Sequence, residues 1–127
     1  MIHSLLLGTA ALVIATKALD CLTTLAAVPT AAAETNPIAR RIMRRLGVRR
    51  AVVLVFTLST AWTGGLTILA AATGTLGAVL FIATGLGVAT VQAAVAHTNW
   101  TGRWNPITSR ILRLHSRISS LGQLMHR

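Results

Sequence analysis

Residues 51–72 read AVVLVFTLSTAWTGGLTILAAA, twenty-two consecutive positions without an ionisable side chain. As a helix this stretch extends roughly 33 Å at about 1.5 Å per residue, enough to cross a hydrocarbon layer of about 30 Å. Its apolar residues fall on every face of the helix, whereas a half-buried helix of a water-soluble domain shows a polar face. The segment therefore reads as a membrane-crossing helix.

Working outward, Thr73 to Gly77 reads as a tight turn, and residues 78–97 form a second charge-free stretch of similar length. On the other side, residues 4–28 are apolar or small except for threonines, Lys17 and Asp20, and Pro29 closes the run. No Lys or Arg precedes Lys17, and the apolar region is too long for a cleaved secretory leader. The expected fold is all-α: one integral membrane domain over residues 1–127, with three transmembrane helices at about 4–28, 51–72 and 78–97.

Composition agrees with lipid as the solvent. The chain of 127 residues is 54% hydrophobic and 11% charged, against roughly 25% charged in an average soluble domain. Its formal net charge is +10, with Asp20 and Glu34 the only acidic residues. Such an excess favours anionic partners, meaning lipid headgroups, nucleic acid or an acidic protein surface. Cys21 stands alone, so an intrachain disulfide is excluded.

The basic residues are sorted. Arg40, Arg41, Arg44, Arg45, Arg49 and Arg50 lie between the first and second spans, and Arg103, Arg110, Arg113, Arg117 and Arg127 follow the third. No arginine precedes the first span or lies in the 73–77 turn. By the positive-inside rule the N-terminus is expected outside and the C-terminus inside, in a cell membrane or in a virion membrane if the chain is viral.

Two copies of one frame, N-P-I-x-x-R-I-x-R, occur at 36–44 and 105–113. Duplication and convergence on one way of leaving a membrane both account for the match. Asn before Pro supplies a helix cap followed by proline at the first helical position, so basic helices are expected at about 37–46 and 106–125. In the second copy Ile107, Ile111, Leu114, Ile118, Leu121 and Met125 recur at spacings of four and three, one stripe of a helix flanked by Arg110, Arg113 and Arg117. Such a helix suits the headgroup level, with side-chain stems in hydrocarbon and guanidinium groups at phosphate; a coiled-coil seam is the alternative. Trp100 and Trp104 are expected as interface anchors at the exit of the third span.

Within the first span Thr9, Thr16, Asp20 and Thr23 form one helical stripe, with Lys17 and Thr24 on its edge. An ionised group near the bilayer centre costs at least about 2.5–3.5 kcal/mol. Lys17 and Asp20, at i and i+3, are placed to pair with one another. The stripe is expected to face a bundle, as a polar clasp or as an ion or proton path with Asp20 titrating. Small residues four apart, Ala11/Ala15, Thr60/Gly64, Ala61/Gly65, Ala83/Gly87 and Ala89/Ala93, suggest close helix approach. Trp62, near mid-span, is expected to meet protein.

No enzyme site is evident. The four histidines are dispersed, Asp20 and Glu34 sit at different parts of the first span and its exit, and neither a metal-ligand spacing nor a phosphate loop occurs. No cofactor or metal is expected. The run D-C-L-T-T at 20–24, followed by E-T-N-P at 34–37, resembles a family of uncharacterised small multi-span membrane proteins of archaea and bacteria. That resemblance implies a membrane domain without catalytic residues, and it leaves the basic C-terminal segment unaccounted for.

The expected function is thus structural: a small, non-enzymatic subunit of a larger membrane assembly. Its partners would be the lipid bilayer, other membrane subunits or copies of itself, and its arginine-rich inner face would hold anionic headgroups or nucleic acid. The alternative is a small ion- or proton-conducting channel using Asp20 and Lys17.

Overall fold

The computed structural model describes residues 1–34, 36–103 and 106. The second basic helix expected at 106–125, with Arg110, Arg113 and Arg117, and the anchor Trp104 lie outside the described residues, Pro106 excepted. Four helices follow in order: α1 (Ile2–Ala27), α2 (Pro37–Leu46), α3 (Val48–Ala72) and α4 (Gly74–Thr101). Three of them, α1, α3 and α4, are long and apolar enough to cross a membrane.

The helix limits correct the expected spans. The first begins at Ile2 instead of residue 4 and ends at Ala27, with Val28 as its C-cap. The second starts at Val48 instead of residue 51, so Arg49 and Arg50 belong to its first turn. The five-residue turn shrinks to Thr73 before Gly74, whose φ of 76° is a left-handed conformation that glycine adopts without a Cβ penalty. Helix α4 therefore runs 74–101, beyond the 78–97 expected for the third span, continuing through His97, Asn99 and Trp100 to a C-cap at Gly102. Polar side chains near a helix end do not stop a helix whose backbone bonds are already propagating.

Helix α2 forms at the expected 37–46. The Asn36 side chain accepts hydrogen bonds from the Ile38 N–H (3.0 Å) and the Ala39 N–H (3.4 Å), and Pro37 takes the first helical position. Met43 is buried against Cys21, Ala51 and Val52, while Arg41, Arg44 and Arg45 point away from the bundle.

Contacts fix the relative directions of the helices. Leu6 clusters with Ala70 and Cys21 with Ala51 and Val52, so α1 and α3 are antiparallel. Thr16 meets Gln92 and Thr24 meets Asn99, so α1 and α4 run parallel. The C-terminal end of α1, all of α2, the start of α3 and the end of α4 thus share one end of the bundle. Arg40, Arg41, Arg44, Arg45, Arg49, Arg50 and Arg103 all belong to that end.

The most extensive packing is between α1 and α4. Ala78, Gly85, Gln92 and Asn99 recur every seven residues on α4, as Leu6 and Val13, and Thr9 and Thr16, do on α1. A seven-residue repeat keeps two helices in register along a left-handed seam. A Cβ added at Gly85 would stand 2.6 Å from Thr9 Cγ2, so glycine is what permits this approach.

The four-residue small pairs largely point elsewhere. Ala11, Ala15, Ala61, Gly65, Ala83, Gly87 and Ala93 are exposed; the packing uses Ala51, Ala70, Ala78, Gly85, Ala89 and Ala96 instead. Trp62 is 71% exposed and is not buried within its own chain. Little of α3 is buried, and large apolar side chains such as Leu58, Trp62 and Ile68 face outward. Threonine hydroxyls along the spans, among them those of Thr63, Thr67, Thr84 and Thr90, donate to carbonyls four residues earlier. Such bonds let a polar side chain sit in an apolar span without an external partner.

Candidate functional site

The α1–α4 seam brings polar groups together in layers. The Thr16 hydroxyl donates to Gln92 Oε1 at 2.7 Å, and it also lies 2.9 Å from the Leu12 carbonyl oxygen of its own helix. One layer further on, Asn99 Nδ2 donates to Thr24 Oγ1 at 3.1 Å. Thr9 and Thr16 are buried, as the stripe requires. Thr23 differs from the expectation of a shared face: its hydroxyl bonds only the Leu19 and Asp20 carbonyls of α1.

Lys17 Nζ donates to Asp20 Oδ2 at 2.7 Å, with the two side chains 17% and 14% exposed. This is the one ion pair among the described residues. Lys17 lies within one turn of the middle of α1, and Asp20 is seven residues from its end, roughly 10 Å below the arginine-bearing end.

There the pair lines a half-open cavity of about 660 Å³ bordered by α1, α2, the start of α3 and the end of α4, within the range of about 300–1,000 Å³ common for small-ligand sites. The space exists because α2 packs on α3 and stands off from α1. Ile38, Ile42, Val52, Val55 and Val95 supply apolar walls, and Thr24, Asn36 and Asn99 add neutral polar groups.

Both acidic residues of the chain, Asp20 and Glu34, and its single lysine, Lys17, line this one cavity. Their separation along the chain had suggested unrelated positions, and here they share one lining. Glu34 is held from both ends. Its Oε1 accepts the Asn36 N–H at 2.7 Å, and its backbone oxygen accepts from Arg40 Nε at 2.7 Å. Arg40 is thereby tied to the rim, and Gly102, next to Arg103, lines the cavity.

The opposite end of the seam is apolar among the described residues. Leu6, only 2% exposed, packs there with Ala70 and Ala78, and Ile2 and Phe81 lie against them. Trp100 is 78% exposed on the last turn of α4. Among the described residues, no group of three or more His, Cys, Asp or Glu side chains is placed to hold a metal ion.

Reading the sequence alone missed Gln92 and Asn99 as partners of the α1 stripe. The signal was present: a lone glutamine inside an apolar span, seven residues from Gly85 on one side and from Asn99 on the other. Compared with protein-family models, curated proteins and solved structures, the chain matches none. Its functional reading therefore rests on its own residues.

Proposed function

We propose that this chain is a non-enzymatic structural subunit of a membrane, whose arginine-rich end binds anionic lipid headgroups and whose outward faces contact lipid and neighbouring subunits or copies of itself. The observation behind this reading is the gathering of Arg40, Arg41, Arg44, Arg45, Arg49, Arg50 and Arg103 at one end of three long apolar helices. Among the described residues none of these seven is ion-paired. Each basic residue near an anionic surface contributes about 1 kcal/mol. The orientation that follows has the N-terminus outside and the arginine end inside.

The polar clasp is favoured over an ion path through one chain. Lys17 and Asp20 neutralise one another, and the Leu6, Ala70 and Ala78 cluster closes the far end of the seam with apolar groups.

The test is reconstitution into nanodiscs with graded fractions of phosphatidylglycerol. Anionic lipid enrichment around the protein is expected, weakening with salt and with Arg40, Arg41, Arg44 and Arg45 all changed to Gln. Equal enrichment in the quadruple variant would end the headgroup reading. Salt-sensitive binding of nucleic acid by neutral proteoliposomes, without lipid enrichment, would transfer the role to a packaged or bound polynucleotide.

A further inference from the structure

The charge pattern at the arginine end is not uniform. Seven described arginines belong to that end and none of them lines the cavity, which is lined instead by two carboxylates, Asp20 and Glu34, and one ammonium, Lys17. Lys17 is committed to Asp20 at 2.7 Å. The formal charge inside is therefore −1, carried in excess by Glu34 at the rim, whose Oε1 already accepts one backbone N–H. A carboxylate accepts more than one hydrogen bond, so Glu34 retains acceptor capacity for a cationic donor. At this rim the Arg40 guanidinium stands beside the Glu34 residue, and Ile38, Ile42, Val52, Val55 and Val95 supply apolar wall.

We infer that the cavity is a site for one aminophospholipid: the primary ammonium of its headgroup on Glu34, its phosphate on the Arg40 guanidinium beside it, and hydrocarbon against Ile38, Ile42 and Val95. Charge complementarity selects this occupant. A purely anionic headgroup satisfies Arg40 and is repelled by Glu34. A choline headgroup has the positive charge and lacks the N–H donors that a carboxylate in a confined site accepts. An ethanolamine headgroup presents both charges and three N–H donors across a few bonds. Arg40 contributes by geometry: by donating to the Glu34 backbone oxygen it holds a guanidinium beside the carboxylate, so both headgroup charges find partners on one rim. The inference depends on the membrane placement and orientation proposed above, and not on enrichment of anionic lipid in bulk.

Native mass spectrometry of the full chain, exchanged in detergent against phosphatidylethanolamine, its N-methylated choline analogue and phosphatidylglycerol of matched chains, reads this site directly. One molecule of the ethanolamine lipid is expected to persist at energies that strip the other two. Glu34→Gln keeps the size and the acceptor for the Asn36 N–H, and it should lower apparent affinity for the ethanolamine lipid roughly tenfold to a hundredfold, the range of a charge-assisted hydrogen bond. Phosphatidylglycerol binding should hold or rise in that variant. Should Glu34→Gln fail to fold by circular dichroism, Ala39→Leu, which fills the cavity from α2 without touching a charge, should abolish the single retained lipid. Equal retention of the three lipids by the unaltered chain, or full retention by either folded variant, overturns the site. A failure here leaves the graded phosphatidylglycerol response intact, whereas loss of that response with this site preserved removes only the bulk headgroup reading.

Discussion

Gln92 Oε1 lies 2.7 Å from the Thr16 hydroxyl, bridging two helices that are separated by 76 positions in sequence and run parallel. The two groups are unequal partners. Thr16 has a fallback in the Leu12 carbonyl oxygen at 2.9 Å, whereas among the described residues Thr16 is the side chain that hydrogen-bonds the Gln92 amide across the seam. Thr16→Val should therefore destabilise more than Gln92→Leu, the first by about 1–2 kcal/mol and the second by about 0.5 kcal/mol or less. Unfolding titrations in mixed detergent micelles would measure both, and the reverse order would refute the bridge as drawn.

Gly85→Ala is a sharper probe of the same seam. Its new methyl would arrive 2.6 Å from Thr9 Cγ2, and overpacking of this kind costs about 1–3 kcal/mol. Thr9→Ala should restore much of the loss when combined with it, because the obstructing methyl is then gone. A double variant no more stable than the single one would show that Gly85 matters for another reason.

Lys17 and Asp20 predict a strong coupling. Removing either charge leaves the other in a site where the side chains are 17% and 14% exposed. Lys17→Met and Asp20→Asn should each destabilise by about 1–3 kcal/mol, below the loss for a fully buried pair, and the double variant should recover part of it. The same Asp20→Asn protein in liposomes separates clasp from ion path: a clasp predicts no proton or cation flux attributable to Asp20, and a flux abolished by this change would establish a path.

Topology is open to chemical labelling. With Cys21 changed to Ala, single cysteines at Arg45 and Arg103 should react from the same face of sealed vesicles, and one at Thr75 from the opposite face. Arg45 lies in the last turn of α2 and Arg103 just past the end of α4, both at the arginine-bearing end of the bundle, and Thr75 begins the other end. Labelling of Arg45 and Arg103 from opposite faces would contradict both the bundle and the proposed surface.

Much of the helix content was legible in local sequence. The run from Ala51 to Ala72 is charge-free on all faces, and the Asn36-Pro37 pair announces the start of α2, since a cap acts within one turn of where it occurs. Helix limits were less legible. His97, Asn99 and Trp100 looked like a stop, yet the backbone stays helical to Thr101, where Gly102 provides a left-handed exit at φ 66°. Small residues at four-residue spacing also misdirected the packing, because such pairs recur by composition alone in a chain rich in Ala, Gly and Thr. The seven-residue recurrence of Gly85, Gln92 and Asn99 marked the true contact face.

Composition, hydropathy and the spacing of arginines determined by themselves that this chain forms long apolar helices with its positive charge confined to particular connections, since those properties depend on residues near one another along the chain. Only the tertiary structure decided that α1 pairs in parallel with α4, that Gln92 and Asn99 meet the threonine stripe, and that Glu34 joins Asp20 and Lys17 around one cavity. Those relations depend on the stand-off of α2 and on a close approach at Gly85, which are set by how side chains from distant segments fit together.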